Sequence, residues 1–197
     1  MKTIAIDVDE VLARHNYALA QFYNQRYGTQ HTEADYFTEQ WSKIWRVSEE
    51  EAERRALEFH LTGLHASFEV VSGAREALDK LKEEYKLVVV TIRRPQVIVA
   101  TRRWLEQNFP GVFSDVRFAP NRWIDKNPQT KADICRELDA QWLIDDSVRH
   151  VSTMAESGGK GLLFGNYTWN QTDLLPTGVK RVKDWSAVME YFSNARG

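Results

Sequence analysis

The chain alternates short apolar runs with amphipathic stretches. Ile4-Ala5-Ile6, Leu87-Val88-Val89-Val90, Val116-Arg117-Phe118, Trp142-Leu143-Ile144 and Gly161-Leu162-Leu163-Phe164 each read as a short strand. The most apolar of them lack the polar alternation of a sheet with one wet face. Helical patterns lie between them. Ala74, Ala77, Leu78 and Leu81 fall at i, i+3, i+4 and i+7, one apolar helix face. Val97, Ala100, Trp104 and Leu105 form another, behind a proline, Pro95, suited to a first helical turn. Residues 130–138 and 148–157 predict two more helices, Gly158-Gly159 stops the second, and Trp185, Val188, Met189 and Phe192 mark a closing one. Strands alternating with helices predict an α/β fold: a Rossmann-like three-layer core on a parallel sheet with right-handed crossovers.

One segment departs from this alternation. Leu19, Phe22, Tyr23 and Tyr27 fall at helical spacing, and Gly28 ends that helix. Residues 29–71 are charged, aromatic and helix-prone, and Ser48-Glu49-Glu50-Glu51 is a capping-box pattern opening a helix towards Leu61. No strand pattern occurs there. The expected division is a core of residues 1–13 plus 72–197, with residues 14–71 a small helical cap inserted after the first strand.

The candidate chemistry lies at strand ends. The first strand runs into Asp7-Val8-Asp9-Glu10, the second ends at Thr91, and the fourth ends in Asp145-Asp146. Ligands of open α/β sheets bind at that carboxyl edge. Carboxylates so close together repel unless a cation holds them, so a magnesium site with a nucleophilic carboxylate is the economical reading. Lys131, at the start of a helix, is the candidate cation for the same edge, with Lys126 the alternative. Arg93 and Arg94 follow Thr91.

In this order, Asp7-Val8-Asp9, Thr91, Lys131 and Asp145-Asp146 resemble the four motifs of the haloacid dehalogenase superfamily. The resemblance implies that Asp7 is a nucleophile forming an aspartyl-phosphate and Asp9 a general acid and base. Thr91 and Lys131 would bind the phosphate, and Asp7, Asp9, Asp145 and Asp146 would form the Mg2+ site, the second acid of the last pair on the metal and the first in support. Aspartate at both positions of the first motif points to phosphate rather than halide chemistry. The segments Ser72-Gly73-Ala74-Arg75-Glu76-Ala77-Leu78 and Val182-Lys183-Asp184-Trp185 look like the deoxyribonucleotidase branch. By that resemblance Trp41 or Trp45 would stack on a nucleobase, and His15 stands where the branch places an aromatic; from their place at the sheet edge, one of Arg93 and Arg94, Arg93 first, would contact substrate phosphate. Glu10 departs from the pattern, which favours a small residue there; a large acid at that place could clash with a closing cap or pair with Arg14. His31, His60, His65 and His150 show no ligand spacing and read as surface or structural.

The expected activity is a magnesium-dependent phosphatase acting on a small phosphomonoester, with a nucleoside or deoxynucleoside monophosphate as first choice. A phosphotransferase or mutase of the same superfamily, a phosphoacceptor domain and a silent binding module are the alternatives. A phosphoacceptor domain carries its acidic pair on the first strand and its Lys near the end, unlike this order. Composition narrows the partners. A chain of 197 residues with a net charge of −2 suggests no polyanion such as a nucleic-acid polymer. A single cysteine, Cys135, allows no internal disulfide, reads as a small core residue, and fits a reducing, cytoplasmic setting. No run approaches the roughly 20 apolar residues that cross a bilayer, and the first residues read as a strand, not a leader. Oligomeric state is left open.

Overall fold

Six strands form one sheet in the order β3-β2-β1-β4-β5-β6, every neighbouring pair parallel. They are β1 (Lys2–Ile6), β2 (Tyr85–Thr91), β3 (Asp115–Phe118), β4 (Ala140–Asp145), β5 (Lys160–Phe164) and β6 (Val179–Val182). The computed structural model describes residues 1–38, 40–120, 129–172 and 174–194. Lys126 lies outside the described residues.

The helices are α1 (His15–Tyr27), α2 (Trp41–Trp45), α3 (Glu49–Leu61), α4 (Ala74–Leu81), α5 (Ile98–Asn108), α6 (Lys131–Glu137), α7 (Val148–Glu156) and α8 (Trp185–Asn194). The pleat sends alternate strand residues into two apolar layers. Ile4, Ile6, Leu87, Val89 and Ile144 join a large cluster with residues of α1, α3, α4, α5 and α8. Ala5, Val88, Val90 and Leu143 face a smaller one containing Ile134 and Cys135 of α6 and Met154 of α7. The three predicted layers are therefore present, and Cys135 is a core residue whose thiol burial pushes up to about 12.

Between β1 and β2 the described chain has helices and turns, and no strand longer than an isolated bridge. Ala13 bridges both Asp9 and Val70, closing the neck of this excursion. Gly28 ends α1 in the left-handed region at φ 68, with its N–H on Asn24 O at 2.9 Å. Ser48 caps α3 through the Glu51 N–H, but the expected capping box is only half made. The Glu51 carboxylate turns outward to Arg54 and Arg55 instead.

Two other expectations change. Among the described residues there are six strands, not five: β6 is four residues long, carries Lys180 and Arg181, and lies at the sheet edge, so it lacks an apolar run. Arg14 pairs with Glu33 and Glu69 rather than Glu10. Glu10 instead accepts the Asn16 N–H at 2.6 Å and adopts φ 59, a left-handed conformation unusual for a side chain of its size.

Candidate active site

The sheet order creates the site. After β1 the chain passes to β2 on one side and later to β4 on the other, so β1 sits at a switch point where connections leave a crevice. Ile6 is in register with Val89 and with Ile144. Asp7, Thr91, Asp145 and Asp146 therefore reach the same edge. A complete capping box at Thr130, reciprocated by Asp133, fixes the start of α6 and sets Lys131 in its first turn.

Lys131 is buried between two carboxylates, 2.8 Å from Asp7 Oδ2 and 2.7 Å from Asp145 Oδ2. Burial opposes its charge, but Asp145 and Asp7 outweigh burial and hold its pKa above the ordinary lysine value. Asp145 also accepts the Ser147 N–H at 2.9 Å and faces His150 Nδ1 at 3.1 Å. Burial works against ionisation of Asp145, yet Lys131 and His150 keep it well below the usual carboxylate range. Both its oxygens are thus occupied.

Asp7 and Asp146 differ. One Asp7 oxygen meets Lys131, while Asp7 Oδ1 is buried with no hydrogen-bond partner among the described residues. Burial raises the Asp7 pKa, Lys131 pulls it back, and Asp145 and Asp9 raise it further. Asp146 is pushed well above its ordinary value by burial and by the charges of Asp145 and Asp7. One carboxylate oxygen from each of Asp7, Asp145 and Asp146 lies within 4.8 Å of the others. Thr91 Oγ1 is a second buried orphan. Buried polar atoms without partners are rare and ask for a ligand. Three converging carboxylates are hard oxygen donors, which suit Mg2+, so the donor set fits that ion.

Asp9 lies outside this side-chain group. Arg93, buried at 3% side-chain exposure, grips it with two donors, Nε on Oδ2 at 3.1 Å and Nη2 on Oδ1. Burial disfavours the Asp9 charge, but the guanidinium overrides burial and holds the carboxyl well below the usual range. Arg93 Nη1 also donates to Thr101 Oγ1 at 2.8 Å, a contact that no sequence signal announces. Arg93 thus has two partners within the protein and also lines the cleft. Arg94 pairs with Glu53 of α3, 2.5 Å away.

Above the acids opens a cleft of about 1060 Å³, walled on the helical side by His15, Trp41, Ala52, Ala56, His60 and His65. Trp41 lines it, stacked with His15 at a centroid distance of 6.0 Å. Trp45 is buried, stacked 4.5 Å from Tyr23 in the packing among the helices. His60 and His65 are cleft residues that sequence reading set aside: His60 Nδ1 lies 3.2 Å from His65 Nε2. Their i, i+5 spacing, across the end of α3, hides the pairing. The loop after β5 brings Trp169 Nε1 to Asp146 Oδ2 at 2.7 Å, also unforeseen.

The family model for "5' nucleotidase, deoxy (Pyrimidine), cytosolic type C protein" matches residues 1–196. The chain belongs to this family. This type C nucleotidase family member has the fold of haloacid dehalogenase-like hydrolases. A haloacid dehalogenase-like family hydrolase from Streptococcus pneumoniae superposes with a TM-score of 0.70 at 16% identity, covering 98% of both chains. A haloacid dehalogenase-like hydrolase from Xanthomonas campestris gives 0.63 at 19% identity, over 98% of this chain and 95% of that one. The D,D-heptose 1.7-bisphosphate phosphatase of B. bronchiseptica, complexed with magnesium and phosphate, gives 0.63 at 16% identity over 99% of both chains. Comparison with curated proteins gives no match. The family and fold make the type C member a haloacid dehalogenase-like phosphatase. Among the described residues no helix is long and apolar enough to cross a membrane.

Proposed function

We propose that the protein hydrolyses nucleoside or deoxynucleoside monophosphates with Mg2+, in the cytoplasm, using residues 14–71 as a cap that selects the organic part of the ester. The observation that carries the reading is the pair of orphaned buried oxygens, Asp7 Oδ1 and Thr91 Oγ1, beside an ammonium ion at the floor of a nucleotide-sized cleft. The family's description as a deoxypyrimidine 5' nucleotidase supports the substrate class.

Asp7 and Asp146 would hold the ion, and Asp145, already saturated by Lys131, Ser147 and His150, supports them from behind. When bound, Mg2+ neutralises phosphate charge and relieves repulsion among the acids. Asp7 attacks phosphorus as the bond to the leaving alcohol breaks, and the alcohol oxygen takes a proton from Asp9. Water, giving its proton back to Asp9, then cleaves the aspartyl-phosphate and releases phosphate and the Asp7 carboxylate. Lys131 holds Asp7 Oδ2, which leaves Oδ1 as the attacking atom. The Thr91 hydroxyl donates to a phosphate oxygen. While Arg93 grips Asp9 with two donors the carboxyl stays ionised and has no proton to give, so a phosphate oxygen that draws the guanidinium away lets Asp9 take up the proton it passes to the leaving alcohol.

The test is a phosphatase screen over a panel of metabolite monophosphates with Mg2+, repeated with chelator and with Asp7→Asn. Nucleoside monophosphates should rank first, and both controls should leave almost nothing, because the uncatalysed reaction is so slow. A panel with no nucleotide preference removes the substrate reading. Turnover by Asp7→Asn near the wild-type rate removes the nucleophile.

A further inference from the structure

The geometry points to Trp169 as a positioning residue for Asp146: its indole N–H fixes one carboxylate oxygen and so presents the other to the acidic cluster. The inference rests on the metal reading above, and it names a device outside the four motifs. Trp169 Nε1 donates to Asp146 Oδ2 at 2.7 Å. An indole is a donor only, so it can serve this carboxylate and cannot replace it.

The loop that carries Trp169 is built to hold that ring still. Tyr167 stacks on it at 4.4 Å and 5°, and the Tyr167 hydroxyl donates to Glu10 O at 2.6 Å. Asn170 is fully buried, and its Nδ2 donates to Asp146 O at 3.1 Å and Phe164 O at 2.9 Å. Arg181 of β6 locks Asn170 in turn, with Nη1 on Asn170 Oδ1 at 3.0 Å and Nη2 on Asn170 O at 2.7 Å. The loop therefore holds Asp146 by main chain and side chain together, and it also touches the backbone next to Asp9. An aromatic serving only as a wall of the cleft needs none of these bonds. The carboxylate also needs a donor. Asp146 has like-charged neighbours in Asp7 and Asp145, and among the described residues Trp169 is the side chain that donates to its carboxylate. Side chains that orient metal ligands commonly contribute about 10–100-fold in metal affinity.

The experiment is calorimetric titration of metal-free protein with Mg2+, for wild type, Trp169→Phe and Tyr167→Phe. Phenylalanine keeps an aromatic face for the stack and removes the N–H. Trp169→Phe should bind Mg2+ roughly 10- to 100-fold more weakly, and turnover lost at low Mg2+ should return as Mg2+ is raised. Tyr167→Phe, which keeps the indole N–H, should lose less. Unchanged Mg2+ affinity in folded Trp169→Phe overturns the proposal. If that variant does not fold, the wild-type indole N–H resonances decide: one of them should shift on Mg2+ addition, and a set that does not respond overturns it equally. Wild-type protein that binds no Mg2+ at all removes the metal reading itself, a failure distinct from equal binding by the two proteins.

Discussion

His60 and His65 are two imidazoles that share one hydrogen bond, which at least one of them must accept with an unprotonated nitrogen. Burial pushes His60 down to about 3 and His65 to about 2, with neighbouring His15 adding to both. Unfolded, each takes up a proton near the ordinary value of 6.5. Between that value and the folded one, the unfolded chain binds the extra proton, so stability is present above pH 6.5 and is lost as pH falls. The slope is about 1.4 kcal/mol per pH unit for each imidazole. Urea unfolding of wild type and His60→Gln at pH 4, 5, 6 and 7 should show a shallower acid loss in the variant by about that amount. Parallel curves would show that His60 gains its proton while folded. The floor of the cleft obeys the same local logic with opposite sign: Lys131 keeps its charge because two carboxylates flank it, and the Asp7 oxygen it does not reach is left without a partner.

At the scale of elements, α2 divides its two tryptophans between two tasks. One helical turn separates them, and the turn places Trp45 in the helical packing and Trp41 on the cleft. Trp41→Ala should lower kcat/KM for a preferred nucleotide while sparing a small aryl phosphate, the differential loss being worth roughly 1–3 kcal/mol by analogy with base stacking. The ratio of kcat/KM for the two substrates, compared between variant and wild type, reads this directly. Equal losses would make Trp41 a packing residue. The strands β1, β2 and β4 were legible in sequence because burial on both faces demands unbroken apolar runs, and the acids and the Thr91 hydroxyl at their ends were legible with them. What escaped notice depends on tertiary placement. β6 is an edge strand with two cations among its four residues. The grip of Arg93 on Asp9 spans 84 positions, and that of Trp169 on Asp146 spans 23. Neither spacing carries a periodic signal.

For the molecule as a whole, Lys131 offsets only part of the repulsion among three clustered carboxylates. Mg2+ at about a hundred times its dissociation constant should add about 2.7 kcal/mol, which for a domain of this size raises Tm by about 5–10 °C. Chelator should abolish the shift. Asp146→Asn should melt higher than wild type without metal and respond little to Mg2+, because it removes a charge that Asp145 and Asp7 oppose. A wild-type Tm indifferent to Mg2+ would argue that the cluster holds no such ion.

The place of β1 at the centre of the sheet has a consequence for synthesis. Ile4 pairs with Leu87 and with Trp142, so the first strand made waits for most of the chain before its second neighbour exists. A nascent chain ending after β3 holds Asp7 and Thr91 but lacks Lys131 and the acid pair. β1 would then have an open edge, the kind of exposed strand that invites pairing with other chains. Assembly of the catalytic floor and closure of that edge are therefore one event, completed when β4 docks.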